Sequence, residues 1–236
     1  MLLRSTNKLR LFFTLVAIIC IVIMFLLGFW QLDRKAQKEA RLAQIESRQD
    51  ASALSIDEII DSPEDYVDFP LMLTAELGNQ TFFIDNKLNN AVAGYEVLVP
   101  VQTNYGVLLV NLGWVPGTPE RRQLPKVIIP TANQHIGNVY IPSDNMLIKE
   151  TNFNYGRFPV RMQQIDFAEM EKHLGKDVLP FTLRLQPDKS GHFVRDWQVV
   201  VLPPERHLGY AVQWFGLGIA GLTVFLLTII NNKKRA

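Results

Sequence analysis

The chain has 236 residues, of which 48% are hydrophobic and 20% charged, and its formal net charge is +1. So even a balance lacks the basic excess by which nucleic-acid-binding proteins are usually recognised. A single cysteine, Cys20, excludes a disulfide framework.

The first element is an apolar run. From Leu11 to Leu32 no side chain is charged, and LFFTLVAIICIVIMFLL is almost wholly apolar. A helix needs about 20 such residues to cross the hydrocarbon core. A cleaved signal peptide would share the basic start at Arg4, Lys8 and Arg10. However, the run exceeds the roughly 7–15 residues usual for one, and Gly28-Phe29-Trp30-Gln31 is no small-residue cleavage site. The reading is therefore a cytoplasmic N-terminus over 1–10 and an uncleaved transmembrane helix over 11–32. The next stretch, DRKAQKEARLAQIESRQ, consists of strong helix formers and predicts a helical extension over 33–53.

Residues 54–203 read as a β-rich domain. Ser55-Ile56-Asp57-Glu58 has the capping-box pattern of a short helix. Leu71–Leu77, Phe82–Asp85, Glu96–Val101, Val107–Trp114, Ile136–Ile141, Val160–Gln163, Phe181–Leu185 and Val199–Leu202 are short and strand-like. Gly78-Asn79, Asn89-Asn90, Asn104-Tyr105-Gly106 and Pro116-Gly117 mark turns between them. Such spacing predicts a mostly β, α+β domain resembling a barrel or sandwich. One helix should open at Asp166 and close at Gly175.

A second apolar run, predicted to span over 208–230, stops at Asn231, Asn232, Lys233, Lys234 and Arg235. Those basic residues favour a cytoplasmic C-terminus over 231–236. Two spans then put the N-terminus in the cytoplasm and 54–203 outside it, although Arg34, Lys35, Lys38 and Arg41 weaken the charge asymmetry. A middle domain without cysteine suits an oxidising compartment. The middle domain is therefore expected outside the cytoplasm, in the periplasm or its organellar equivalent.

Catalytic signatures are missing: there is no Walker loop, G-x-S-x-G, H-E-x-x-H or C-x-x-C. His135, His173, His192 and His207 show no metal-ligand spacing. One constellation stands out where the second span enters the membrane. His207, Tyr210, Ala211, Trp214, Gly218 and Gly221 recur at helical steps and share a face. The glycines admit a close neighbour. An interfacial aromatic belt would explain the same residues. If the spans are antiparallel, Gly28, Trp30, Gln31 and Arg34 lie at the height of His207 and Trp214.

Three motifs carry a resemblance. Gly28, Trp30, Gln31, Arg34 and Lys38 form the first. Gly94, Pro100, Asn111, Gly113, Trp114, Val115 and Pro116 form the second, and His207, Leu208, Tyr210, Ala211, Trp214 and Phe215 the third. In this order, with the spans in place, the chain resembles the surfeit locus protein one family of cytochrome c oxidase assembly factors, and reads as a bacterial member. It departs from the family pattern at Leu112, at Arg206 and over Lys149–Gln164.

The resemblance implies a non-enzymatic, chaperone-like role in maturing the haem site of haem-copper oxidase subunit I in the respiratory chain. Subunit I, haem a synthase and membrane lipid would be its partners, and nucleic acid would not. It also implies haem a binding, with His207 as ligand of the iron. Trp30, Tyr210 and Trp214 would touch the ring, and Arg34 or Arg206 would pair with a propionate. Gly28, Gln31, Lys38, Gly94, Gly113, Trp114 and Pro116 would be structural or partner-binding. A scaffold that binds no haem is the competing reading. A membrane-anchored enzyme would need a nucleophile, base or metal pattern that the sequence lacks.

Overall fold

The computed structural model describes residues 2–120, 123–143, 145, 148, 154–187, 191–197 and 202–234. The chain forms two compact units, Met1–Gln44 with Gln198–Ala236, and Ile45–Trp197.

The first unit is built on two long helices, α1 (Leu2–Gln49) and α4 (Pro204–Lys234). No proline interrupts α1, and it runs unbroken from the apolar stretch into the charged one, so the predicted extension is one helix with the span. Proline at the first position of α4 costs nothing, because its missing N–H would have no intrahelical partner there. Both helices are long and apolar enough to cross a membrane, and only 6% of each apolar window is buried. Phe12, Leu15, Ile19, Val22 and Leu26 on α1 and Val212, Leu217, Ile219 and Val224 on α4 are exposed. Neither helix is therefore the core of a soluble fold, and so continuous an apolar surface calls for an apolar environment. Within α4, Thr223 and Thr228 donate their hydroxyls to the Ile219 and Val224 carbonyls, so both are paired within the helix itself.

The second unit is an α+β domain around one mixed sheet. Its strands are β1 (Pro70–Thr74), β2 (Phe82–Asn89), β3 (Val92–Thr103), β4 (Gly106–Pro116), β5 (Gln134–Tyr140), β6 (Val160–Met162) and β7 (Val178–Leu185). Two short helices, α2 (Ile56–Ile59) and α3 (Phe167–Leu174), flank it. The capping box at Ser55 and Glu58 opens α2. Asp166 caps α3 by accepting from the Glu169 N–H at 3.1 Å, and Gly175 ends it in the left-handed region at φ +65°. Asn90 and Ala91, both at positive φ, turn β2 into β3.

The strand order is β1-β5-β7-β4-β3-β2-β6. Neighbours are antiparallel except for the parallel pairs β4–β7 and β2–β6. One face carries Val97, Val99, Val101, Leu108, Val110, Phe181 and Leu183 against Ile59 of α2. The other carries Phe82, Ile84, Leu98 and Leu109 against Met170 of α3. Because both faces are covered, β4 is buried at every residue from Val107 to Gly113 instead of alternating.

Seven of the eight expected strands are present, with different ends. The eighth falls mostly on residues 199–201, outside the described residues, and Leu202 is not in a strand. The first expected strand stops at Thr74 rather than Leu77. The expectation of a barrel or sandwich needs correction. The strands make one sheet rather than two, and no pairing of β1 with β6 closes it among the described residues.

Candidate functional site

The two helices of the first unit pack antiparallel along a stripe of small residues. A Cβ on Gly221 would touch Ile21 at 3.4 Å, one on Gly218 would meet Phe25 at 3.0 Å, and one on Gly28 would lie 2.6 Å from the Phe215 ring. The paired numbers rise on α1 as they fall on α4. The Phe215 ring fills the space that Gly28 leaves, edge-on to Phe29 at a centroid distance of 5.2 Å. Glycine is required at position 28 because the aromatic ring occupies the room a side chain would take.

The next contact along the stripe is polar. Gln31 Oε1 and His207 Nδ1 lie 2.7 Å apart. The residues around this contact are enclosed: Gln31 is 9% exposed, His207 7% and Ala211 1%. The second ring nitrogen, His207 Nε2, is buried and has no hydrogen-bond partner among the described residues. A buried imidazole with one nitrogen engaged and the other free has the donor set of a single-point metal ligand.

The other suggested ligand residues differ in exposure and partners. Trp214 is half-buried on the His207 side of α4. Trp30 and Tyr210 are 47% and 41% exposed. Arg34 lies over the Trp30 ring at 5.5 Å and donates to Gln37 at 2.8 Å. Arg206 is exposed, and Lys38 is half-buried on the same helix face as Gln31. No group of three or more His, Cys, Asp or Glu side chains that could hold a metal ion occurs among the described residues.

The middle motif lies in the second unit and is a packing device. The Trp114 ring lies on Gly94, where a Cβ would stand 2.5 Å from Cε2. Trp114 Nε1 donates to the Lys87 carbonyl at 3.0 Å, and its backbone N–H and C=O both pair with Val194 at 2.8 Å. Gly113 takes φ +122°, and a Cβ there would sit 2.8 Å from the Val194 carbonyl oxygen. Asn111, fully buried, donates to Glu96 at 2.7 Å and accepts from the Gly113 N–H at 3.1 Å. Lys87 completes the group at 3.3 Å from Glu96. Pro116, exposed, ends β4 opposite Gly94. Leu112, one of the departures, is fully buried in the core.

Sequence reasoning missed Glu96, Lys87 and the Val194 backbone as partners of this motif. The available signal was a glutamate set among the apolar residues of a strand. It also did not assign Phe215 a role as the ring that faces Gly28.

A family model described as the SURF1 family matches residues 18–219, a range that contains all three motifs. The chain is also similar to a SURF1-like protein of Rickettsia felis, with 25% identity over 235 residues, covering 90% of this chain and 95% of the relative.

Proposed function

The chain belongs to the SURF1 family, and we propose on that premise that it is a non-enzymatic assembly factor for haem-copper (cytochrome c) oxidase. It acts on the haem site of subunit I. The helices α1 and α4 anchor it in a bacterial inner membrane, with the sheet domain on the periplasmic side. Subunit I and haem a synthase are its partners in this reading, and the exposed Trp30 within α1 and Arg206 and Tyr210 near the start of α4 offer them contacts.

One observation carries the haem part of the proposal: the buried, unpartnered Nε2 of the last motif's histidine. Haem a, when bound, supplies an iron that accepts a neutral imidazole nitrogen. His207 fits that requirement with one ring nitrogen. Trp214 on the same side of α4 can contribute apolar contact, and Arg34 or Arg206 a cation for a carboxylate. The scaffold reading also has specific support. The Gly28–Phe215 and Gly218–Phe25 contacts and the bonded Trp114 motif are packing features that need no haem.

The haem-to-protein ratio of protein purified from cells that make haem a separates the two. The expected result is haem in the wild type and its loss in His207→Ala, with the variant still inserted and folded. Equal ratios would remove His207 as an essential ligand, and no haem in either protein would favour the scaffold.

A further inference from the structure

Gln31 and His207 stand 176 positions apart, yet their side chains meet at 2.7 Å in a buried setting. The contact has a direction. A carboxamide oxygen only accepts, so Nδ1 must be the nitrogen that carries the proton. A neutral imidazole has a single N–H. Nε2 is then left with its lone pair, and Nε2 is the nitrogen without a partner. With the amide reversed, the proton would move to Nε2 and leave a buried N–H with no acceptor. Orphaned buried N–H groups are rarer than under-satisfied acceptors. In water an unconstrained histidine side chain favours the opposite tautomer, with the proton on Nε2.

We propose that Gln31 is a positioning residue that holds His207 in the Nδ1–H tautomer and leaves Nε2 a neutral nitrogen with its lone pair uncommitted. The ligand it would suit is a metal centre that accepts one imidazole nitrogen. That identity rests on the haem reading above, whereas the tautomer follows from the contact itself. The residue type fits the place. A carboxylate opposite the ring would add a charge beside an apolar span, at considerable desolvation cost. A carboxamide orients the imidazole while both partners stay neutral. A histidine kept only for packing would gain nothing from an uncommitted buried nitrogen. Supporting partners of this kind affect metal binding strongly, because they fix ring orientation as well as tautomer.

The test uses the full chain labelled with ¹⁵N-histidine in lipid nanodiscs, without haem, in mildly alkaline buffer. The His207 ring signals are those that vanish in His207→Ala. In the wild type, Nδ1 should show the protonated shift and Nε2 the unprotonated one. Gln31→Leu, similar in size but without an acceptor, should move the ring toward the Nε2–H form. Gln31→Glu should restore Nδ1–H.

A second arm titrates haem into the same three proteins. Gln31→Leu should bind about 10–100-fold more weakly than the wild type, and Gln31→Glu should recover most of the loss. An Nε2–H ring in the wild type, or a tautomer unmoved by Gln31→Leu, overturns the positioning role even if haem binds. A correct tautomer in a protein that takes up no haem leaves that role standing and removes the haem reading. If Gln31→Leu fails to fold, the wild-type tautomer alone decides.

Discussion

Replacing Gly94 with alanine tests whether the middle motif is a packing unit. The new Cβ would stand 2.5 Å from Trp114 Cε2 and would run into the Val115 carbonyl oxygen. Carbon contacts are comfortable at about 3.5–4.0 Å, so the ring must move by about 1 Å or more. It is not free to do so, because Nε1 is bonded to the Lys87 carbonyl and the Trp114 backbone to Val194. The Val115 carbonyl belongs to the paired strand β4 and cannot swing aside like a side-chain tip. Overpacking of this kind costs about 1–3 kcal/mol. Loss of the indole hydrogen bond adds about 0.5–1.5 kcal/mol. Reduced freedom of the unfolded chain offsets about 0.4–1 kcal/mol. The expected net loss is about 2 kcal/mol.

Trp114→Ala should also destabilise the domain, but by less than the roughly 3–5 kcal/mol of a fully buried tryptophan, because the ring is half-buried. Removing the ring relieves part of the clash at position 94. The double variant should therefore lose less than the sum of the single losses. Urea unfolding of the full chain in nanodiscs, followed by near-UV circular dichroism, measures all three. A Gly94→Ala protein within about 0.5 kcal/mol of the wild type, or strictly additive losses in the double variant, would refute the packing account.

Three further outcomes are expected. Gly28→Val should weaken the helix pair by about 1–3 kcal/mol in a detergent melting series, since it drives Phe215 from its place, whereas Gly216→Ala should not lower the melt, because nothing lies within 4 Å of a Cβ there and alanine favours a helix over glycine. Burial pushes the His135 imidazole below its ordinary 6.5, with hydrogen bonds to the Ala132 and Ala75 backbone opposing the shift and the Arg195 charge adding to it. The unfolded ring is then protonated first, so stability from this group is full above about 6.5, falls as the pH drops below that, and levels off below the folded value. His135→Leu should flatten that slope, and a wild-type urea midpoint that rises on acidification would contradict it. Finally, a reporter active only outside the cytoplasm should work when fused after Asp188 and stay silent after Ala236, and the reverse pattern would invert the orientation.

Much of this architecture was legible in local sequence. Helix α3 announces both ends, since Asp166 supplies the capping oxygen and Gly175 the left-handed turn. The two candidate spans were legible because a helix that crosses lipid must satisfy its backbone internally over a fixed thickness, and length and composition report that directly. The seven described strands were found, but their partners were not. Pairing β4 with β7 and β2 with β6 in parallel is chosen by which faces bury together over long loops, and no turn signal encodes it. The same limit applied to Gly94, whose need for glycine is visible only once the Trp114 ring lies over it.

The candidate site divides in the same way. Helical spacing by itself put His207, Tyr210, Ala211, Trp214, Gly218 and Gly221 on one face of α4, because a 3.6-residue period is a property of the backbone, yet Tyr210 is 41% exposed whereas His207, Ala211 and Gly218 are buried. The two ends of the chain were matched in height by the antiparallel arrangement that two spans require. Only the tertiary structure decided that Gln31, rather than the neighbouring Trp30 or Arg34, meets His207. That choice depends on the rotation of each helix about its axis. The rotation is set by close packing of Phe215 on Gly28 and Phe25 on Gly218, contacts between residues too distant in sequence for any local pattern to fix.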